Sequence, residues 1–238
     1  MANYAFKAYV TNLGKYAEGE LKGEWVGFPN TAEEIQKVFE RIGMDAEHEE
    51  YFITDYDSEK IEGLHDCLGE YENVKDLNYL AGRIQEMEEG ELKLFNTIMK
   101  NNVDLEQTGA SGCINLTYNL DKYNYCPDVQ TERELGTYYV NELNTFNVES
   151  MGEFSYYFDY EAYGRDISIN EGGIFTSEGY ISSTESWEKE YDGDQKNIPD
   201  EYKLEESSAV QKQSQWDAAI EEALEAAEIQ EPELEMEM

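Results

Sequence analysis

Basic residues are scarce in this chain. It has 17 Lys and Arg against 54 Asp and Glu among 238 residues, so its formal net charge at pH 7 is −37. Nucleic-acid binding relies on clustered Lys and Arg that pair with phosphates, and an anionic membrane surface repels a chain of this sign. The composition therefore argues against both nucleic acid and membranes as direct partners.

Long apolar runs are also missing. No stretch approaches the roughly 18 apolar residues that a transmembrane helix needs. Residues 1–16 have neither the basic n-region nor the apolar h-region of a secretory signal. We therefore expect a cytoplasmic protein.

Residues that carry catalytic or metal chemistry are few. There are three cysteines and two histidines, and none of them has the spacing of a metal-ligand motif. Asp55, Asp57 and Glu59 begin like a calcium loop, but Lys60 stands where that loop requires glycine. The glycine-rich stretch 109–112 is not followed by the Lys-Ser/Thr pair of a phosphate loop. We predict no enzyme, no catalytic residue, no metal site and no cofactor.

Aromatic residues, by contrast, are abundant. The chain has 19 Tyr, 9 Phe and 3 Trp, whereas disordered acidic chains are usually poor in aromatic residues. A tyrosine ring packs while its hydroxyl stays in water, which suits a thin body with much surface. The chain is therefore predicted to fold in spite of its charge, for which halophilic adaptation is a competing explanation.

The order of the periodic segments predicts an α+β fold. We expect an elongated chain of three small α+β domains, followed by an acidic, partly helical C-terminal extension. The first domain spans residues 1–60. Its alternating and helical patterns predict strands at 4–11 and 51–56, a loop or hairpin at 14–27, and a helix with a capping box that runs from Thr31 to Gly43.

The next two domains are predicted at 61–102 and 103–181. The central domain is small and helical, with one helix capped by Asn73 and a second after a break at Gly90. These helices have little apolar surface to share. The third domain is predicted to contain strand 113–118, helix 129–143, and strands 166–169 and 174–181.

The extension, residues 182–238, carries 18 acidic and 4 basic residues. Residues 182–204 have only scattered apolar side chains and are interpreted as a linker. Trp216, Ile220 and Leu224 are spaced by four, which predicts an amphipathic helix that docks on the body or meets a partner.

Acidic residues also crowd the part of the chain that has to fold, where their repulsion opposes compaction. A functional reason for this cost is a fair hypothesis. Duplex DNA presents about one negative charge per 1.7 Å of axis, so a dimer of residues 1–181, with about 46 net charges, would match roughly 23 base pairs. Apolar residues recur between the acids, which places the acids on outer faces. The candidate phosphate-mimicking contacts are Asp45, Glu47, Glu49, Glu50, Asp55, Asp57, Glu59, Glu62, Asp66, Glu70, Glu72, Asp76, Glu86, Glu88, Glu89 and Glu91.

The sequence resembles the ArdA antirestriction proteins of plasmids, transposons and phages. The match runs in order through about residues 4–181, and its short segments are specific jointly rather than singly. The extension after Ile181 departs from the usual family length, which leaves its role open. The matching segments are Tyr9-Val10, Tyr16–Trp25, Tyr51–Tyr56, Gly69–Asn73, Leu77–Ala81, Leu135–Glu142, Gly164–Asp166 and Phe175–Tyr180.

The resemblance implies an elongated homodimer of three-domain chains that imitates bent B-form DNA. Such a protein occupies the DNA groove of type I restriction-modification enzymes, at the methyltransferase core with its specificity subunit, in the host bacterial cytoplasm. The third domain is then expected to form the dimer, and packing in a small core is compatible with that role. The residues that correspond to the family's antirestriction motif are Leu135, Gly136, Tyr138, Val140, Glu142 and Leu143.

Two other functions stay open on the sequence. The same charge would serve a DNA mimic directed against another DNA-binding defence system or a nucleoid protein, and the captured partner distinguishes these targets. An acidic histone-like chaperone or buffer is the second alternative, and an ordered α+β dimer would exclude it.

Overall fold

The computed structural model of the chain describes residues 4–101, 103 and 108–204. It shows an α+β fold, as the sequence predicts, with two three-stranded sheets in the described residues. Short 3₁₀ segments lie at Leu120–Lys122, Val148–Tyr157 and Gln195–Asn197. The other elements in chain order are β1 (Phe6–Asn12), α1 (Leu13–Ala17), β2 (Gly23–Phe28), α2 (Ala32–Arg41), β3 (Tyr51–Asp57), α3 (Leu64–Cys67), α4 (Val74–Glu86), α5 (Glu89–Asn101), α6 (Gly109–Tyr118), β4 (Tyr123–Pro127), α7 (Glu132–Asn141), α8 (Tyr160–Glu171), β5 (Ile174–Phe175) and β6 (Gly179–Ser183).

The N-terminal sheet has the antiparallel order β2-β1-β3. Ala8 in the central strand lies opposite Val26 on one side and Tyr56 on the other. The strands predicted at 4–11 and 51–56 are confirmed. The stretch 14–27, predicted as a loop or hairpin, contains most of α1 and most of β2.

Helix α2 begins and ends where its sequence indicates. The Thr31 side chain accepts a hydrogen bond from the Glu34 backbone N–H at 3.3 Å, and Ile35 and Val38 are buried beneath it. Gly43, with φ of +79°, follows the helix in a conformation that favours glycine.

The central helices bury their apolar faces against different neighbours. Asn73 caps α4 as predicted, accepting from the Lys75 N–H at 2.8 Å. The break before α5 lies at residues 87–88, and Gly90 is inside α5 rather than at the break. Helix α4 packs mainly on α6 and α5 on α3, in keeping with the expectation that α4 and α5 share little apolar surface. Their fully buried side chains are Leu77, Leu80, Ala81, Phe95, Ile98 and Met99.

The C-terminal sheet has the order β4-β6-β5, with α7 and α8 packed beside it. The helix predicted at 129–143 is α7, and the predicted strand 174–181 becomes β5 and β6, joined by a turn. Two predicted strands are wrong. Residues 113–118 lie in α6, and residues 166–169 lie in α8, which begins at the Asp159 cap and ends at Gly172 with φ of +64°.

The buried side chains form one large cluster and one small one. The large cluster extends from Ala5 to Tyr202, and the small one includes Leu135 and Ile167 under the C-terminal sheet. The expected linker 182–204 therefore takes part in the core, through the buried Tyr191, Ile198 and Tyr202. The domain boundaries near residues 60 and 102 stay predictions, and the amphipathic helix predicted at 207–229 lies outside the described residues.

Candidate functional site

Most of the predicted partner contacts are solvent-exposed. Fourteen of the sixteen candidate acids are exposed, and we call this set the acidic surface. Its members are Asp45, Glu47, Glu49, Glu50, Asp55, Asp57, Glu59, Glu62, Asp66, Glu70, Glu86, Glu88, Glu89 and Glu91.

The free edge of β3 brings together acids that are distant in the chain. The Ile53 N–H donates to the Glu70 carbonyl at 2.7 Å, and the Tyr56 hydroxyl donates to the Gly69 carbonyl at 2.7 Å. His65 on α3 lies 3.1 Å from the Asp55 carboxylate. The acids of β3 and of the 64–70 segment therefore occupy one edge of the sheet.

Few cations neutralise the acidic surface. Asp45, Asp55, Asp57, Glu62 and Glu86 each lie within 4.0 Å of a cationic or imidazole nitrogen. In the described part of the chain, no such nitrogen lies within that distance of the other nine: Glu47, Glu49, Glu50, Glu59, Asp66, Glu70, Glu88, Glu89 and Glu91. A surface of this kind attracts cationic groups over a distance set by the ionic strength.

One imidazole is built into the start of this surface. The two ring nitrogens of His48 lie 3.1 Å from Glu18 and 2.9 Å from Asp45. Hydrogen bonds first from Glu18 and then from Asp45 raise the pKa of His48 above its usual 6.5. The loop that carries Glu47, Glu49 and Glu50 is thereby attached to the C-terminal end of α1.

Two of the candidate acids do not belong to the surface. Asp76 is buried, and its carboxylate accepts a hydrogen bond from the Tyr191 hydroxyl at 2.7 Å, while burial raises the pKa of Asp76. Glu72 is half-buried and accepts from the backbone N–H groups of Gly69 and Ala110, at 2.9 and 3.0 Å. Both carboxylates hold the fold together, so they are not available to imitate phosphates.

Some of the six residues expected to form the antirestriction motif are buried, and others are exposed to solvent. Leu135, Gly136 and Val140 are buried on α7, Tyr138 is half-buried, and Glu142 and Leu143 are exposed. Thr131 and Glu134 form a reciprocal capping box that fixes where α7 begins.

Helices α7 and α8 cross at two glycines. A Cβ on Gly136 would lie 1.9 Å from the Tyr160 carbonyl oxygen, and a Cβ on Gly164 would lie 1.8 Å from the Glu132 carbonyl oxygen. The crossing therefore has room for glycine alone at both positions.

Exposed apolar side chains are frequent in and around α7 and α8, and sequence reasoning missed them. Tyr156 is 94% exposed and Tyr157 is 84% exposed. Both belong to the aromatic run 154–158, which is the sequence signal that could have revealed these exposed side chains. An open cleft of about 730 Å³, lined in part by Val140, Phe146 and Tyr160, lies in the same region. We call the exposed residues Leu143, Phe146, Phe154, Tyr156, Tyr157, Ile169 and Ile174 the apolar surface.

The described residues include possible metal ligands, thiols and helices of differing length. No group of three or more His, Cys, Asp or Glu is placed there to hold a metal ion. Cys67, Cys113 and Cys126 are buried free thiols. Among the described helices, none combines the length and the apolarity needed to cross a bilayer.

The fold and its exposed carboxylates define an acidic α+β protein. The family model described as antirestriction protein (ArdA) matches residues 8–182. The chain therefore belongs to the ArdA family of antirestriction proteins. A search of curated proteins finds no match.

Proposed function

We propose that this antirestriction protein acts as a DNA mimic. Its acidic surface occupies the DNA-binding groove of a type I restriction-modification enzyme, at the methyltransferase core with its specificity subunit. The observation that carries the proposal is the set of nine exposed carboxylates that lack an ion-pair partner in the described residues, on a chain of the ArdA family.

The mechanism follows from what a DNA groove recognises. Phosphate contacts position a protein on DNA but carry no sequence information, so a groove that binds phosphates also accepts carboxylates in a similar arrangement. Bending a real DNA site of 20–30 base pairs costs on the order of 1–6 kcal/mol. A folded mimic that already has the required curvature avoids that cost and displaces DNA.

The apolar surface supports a homodimer as part of this proposal. Seven large apolar side chains between residues 143 and 174 are exposed. Large exposed apolar patches mark protein interaction sites, and a second copy of the chain would cover this one. A dimer would also double the number of carboxylates presented to the enzyme.

Competition with DNA tests the proposed function. Purified protein is titrated into a type I methyltransferase complex that holds a labelled duplex, and free DNA is measured at 50 and 200 mM salt. We expect displacement near one dimer per complex. Because the complex also holds DNA less tightly as salt rises, direct binding of the chain to the complex without DNA is measured at the same two salt concentrations, and we expect it to weaken at 200 mM.

Two results would contradict the proposal. No displacement by folded dimer would direct the search to another DNA-binding machine. Direct binding of the chain to the complex that does not depend on salt would contradict the electrostatic mechanism.

A further inference from the structure

The residues that follow β6 are held against the body by side-chain amides. We call residues 184–204 the strap; it lies beyond the residues that the family model matches. Asn119 on the C-terminal side of α6 accepts from the Glu188 N–H and donates to the Glu188 carbonyl, both at 2.8 Å. Asn115 accepts from the N–H groups of Glu190 and Tyr191 at 2.9 Å and donates to the Tyr191 carbonyl at 2.8 Å. The two side-chain amides thus bond to backbone N–H and C=O groups of the strap, as the backbone of an adjacent β-strand would.

Two tyrosines then fix the strap on α4. Tyr191 is 1% exposed and donates to Asp76, and its ring meets the edge of Tyr79. Tyr202 stacks on the same tyrosine ring, with 4.9 Å between the ring centroids of Tyr79 and Tyr202. The Tyr202 hydroxyl donates to Glu86 at 2.5 Å.

The strap contacts the residues before β4 and the helices α6 and α4. At its start, the Thr184 N–H donates to the Lys122 carbonyl next to β4, at 2.8 Å. At its end, the Tyr202 carbonyl accepts from the Asn78 side chain of α4 at 3.2 Å. Asn78 in turn accepts from the Asn30 N–H of the N-terminal part at 2.7 Å. The strap therefore links the C-terminal sheet to α6 and α4, and α4 extends the connection to the loop before α2.

We propose that the strap is a brace that fixes the acidic surface of the N-terminal and central parts relative to the C-terminal sheet. Binding that requires no ordering of the protein is tighter than binding that does, so the brace favours competition with DNA. This inference rests on the proposed function for its consequence, but the brace itself is measured without any partner.

A glycine substitution tests the brace in the full-length chain. A Cβ on Gly82 would lie 2.5 Å from Cδ1 of Tyr202, so Gly82→Ala displaces the end of the strap. In a helix with no strap on it, the same change would stabilise, because alanine favours helix over glycine. Gly90→Ala is the matched control, since Gly90 is also in a helix and a Cβ there would meet no atom of the described residues within 4 Å.

Three measurements are made on each variant. Hydrogen exchange follows the backbone amides of residues 188–204. Spin labels on cysteines introduced at the exposed Gln36 and Asn170 give the distance distribution between α2 and α8, in samples diluted with unlabelled chain so that only distances within one protomer are read. The competition assay gives the concentration that displaces half of the DNA.

We expect Gly82→Ala to raise the hydrogen-exchange rates of the strap amides at least about tenfold and to broaden the distance distribution between α2 and α8. The concentration that displaces half of the DNA should rise about tenfold. The salt dependence stays unchanged because no charge is altered. Tyr202→Ala, which removes the ring without a clash, gives the same phenotype alone and together with Gly82→Ala.

The brace is overturned if Gly82→Ala frees the strap while the distances and the displacement stay as in the wild-type chain. It is also overturned if Gly82→Ala and Gly90→Ala both leave the strap protected. Failure of the wild-type chain to displace DNA would overturn the proposed function instead, and the distance distributions would still decide the brace.

Discussion

Some carboxylates of this chain are exposed to solvent, whereas others are buried and hydrogen-bonded within the fold. The neighbouring side chains determine which of the two environments a carboxylate has. Glu70 is exposed and has no cation beside it in the described residues, whereas Asp76 six residues later is buried against Tyr191. The sequence predicts the exposed acids correctly because apolar residues alternate with them. It cannot predict the burial of Asp76, because the hydroxyl that binds it lies 115 residues further along the chain.

The pH dependence of stability tests the role of His48. The pKa of His48 is raised in the folded protein, so its pairing with Glu18 and Asp45 stabilises the fold fully below pH 6.5. That stabilisation is lost as the pH rises through the raised pKa. We expect His48→Gln to lower the melting temperature more at pH 5.5 than at pH 8.5.

His65→Gln is the control for this measurement, because it also removes one imidazole but leaves the Glu18–His48–Asp45 contacts in place. An equal loss of melting temperature at both pH values in His48→Gln would contradict the assigned role.

Among the elements, sequence reasoning failed at α6 and α8, where it predicts strands. The segment 113–118 combines apolar and β-branched residues without a helical stripe, and periodicity alone does not distinguish a buried helix from a buried strand. The structure makes it a helix, with nearly every residue of 110–117 buried. By contrast, α2 and α4 are predicted correctly because each has an apolar stripe at helical spacing and a capping side chain before it.

The α7–α8 crossing gives a prediction at the scale of elements. Gly136→Ala would place a methyl group 1.9 Å from the Tyr160 carbonyl oxygen, so the helices must separate. We expect a loss of about 1–3 kcal/mol or more in the free energy of unfolding, as for other overpacked sites. Chemical denaturation measures it.

Thr137→Ala, the next position on α7, is the control and should not destabilise, because alanine has the higher helix propensity. Equal stability of the two variants would show that the helices cross less closely than described.

At the scale of the molecule, the sequence predicts the α+β class and the family but not the connection between the parts. The segment 182–204 looks like a linker because its apolar residues are scattered. Tyr191, Ile198 and Tyr202 are nevertheless buried. Tyr191 donates a hydrogen bond to Asp76, and Tyr202 stacks on Tyr79, both on α4. The apolar surface is likewise missed, since its members come from several elements.

The placement of charge, beyond its total, should determine inhibition. We expect a single change such as Glu70→Gln to have little effect, because many carboxylates share the work. The triple change Glu47→Gln, Glu49→Gln and Glu50→Gln should weaken competition with DNA on the order of tenfold, at roughly 0.2–1 kcal/mol per exposed pair. The competition assay reads both.

A second triple, Asp121→Asn, Glu161→Gln and Asp166→Asn, removes the same charge from exposed positions in the C-terminal part. If both triples weakened displacement equally, net charge alone would explain inhibition and the acidic surface would have no special role.

The homodimer depends on the apolar surface in our proposal. Tyr156→Glu places a charge on a side chain that is 94% exposed in one protomer and covered in the dimer. We expect the variant to sediment as a monomer while keeping its circular dichroism spectrum. Tyr71→Glu, at a tyrosine that is 74% exposed on the acidic side of the chain, is the control and should stay dimeric. A dimeric Tyr156→Glu would place the interface elsewhere.

The position of the strap in the core also affects how the protein is made. The large buried cluster begins at Ala5 and is completed only by Tyr202. A ribosome that adds about 5–20 residues per second delivers the second roughly 10–40 s after the first. During that interval the partly synthesised chain exposes the faces of α4 and α6 that the strap later covers. Nascent chains of this protein are therefore expected to depend on holding factors near the ribosome until translation is nearly finished.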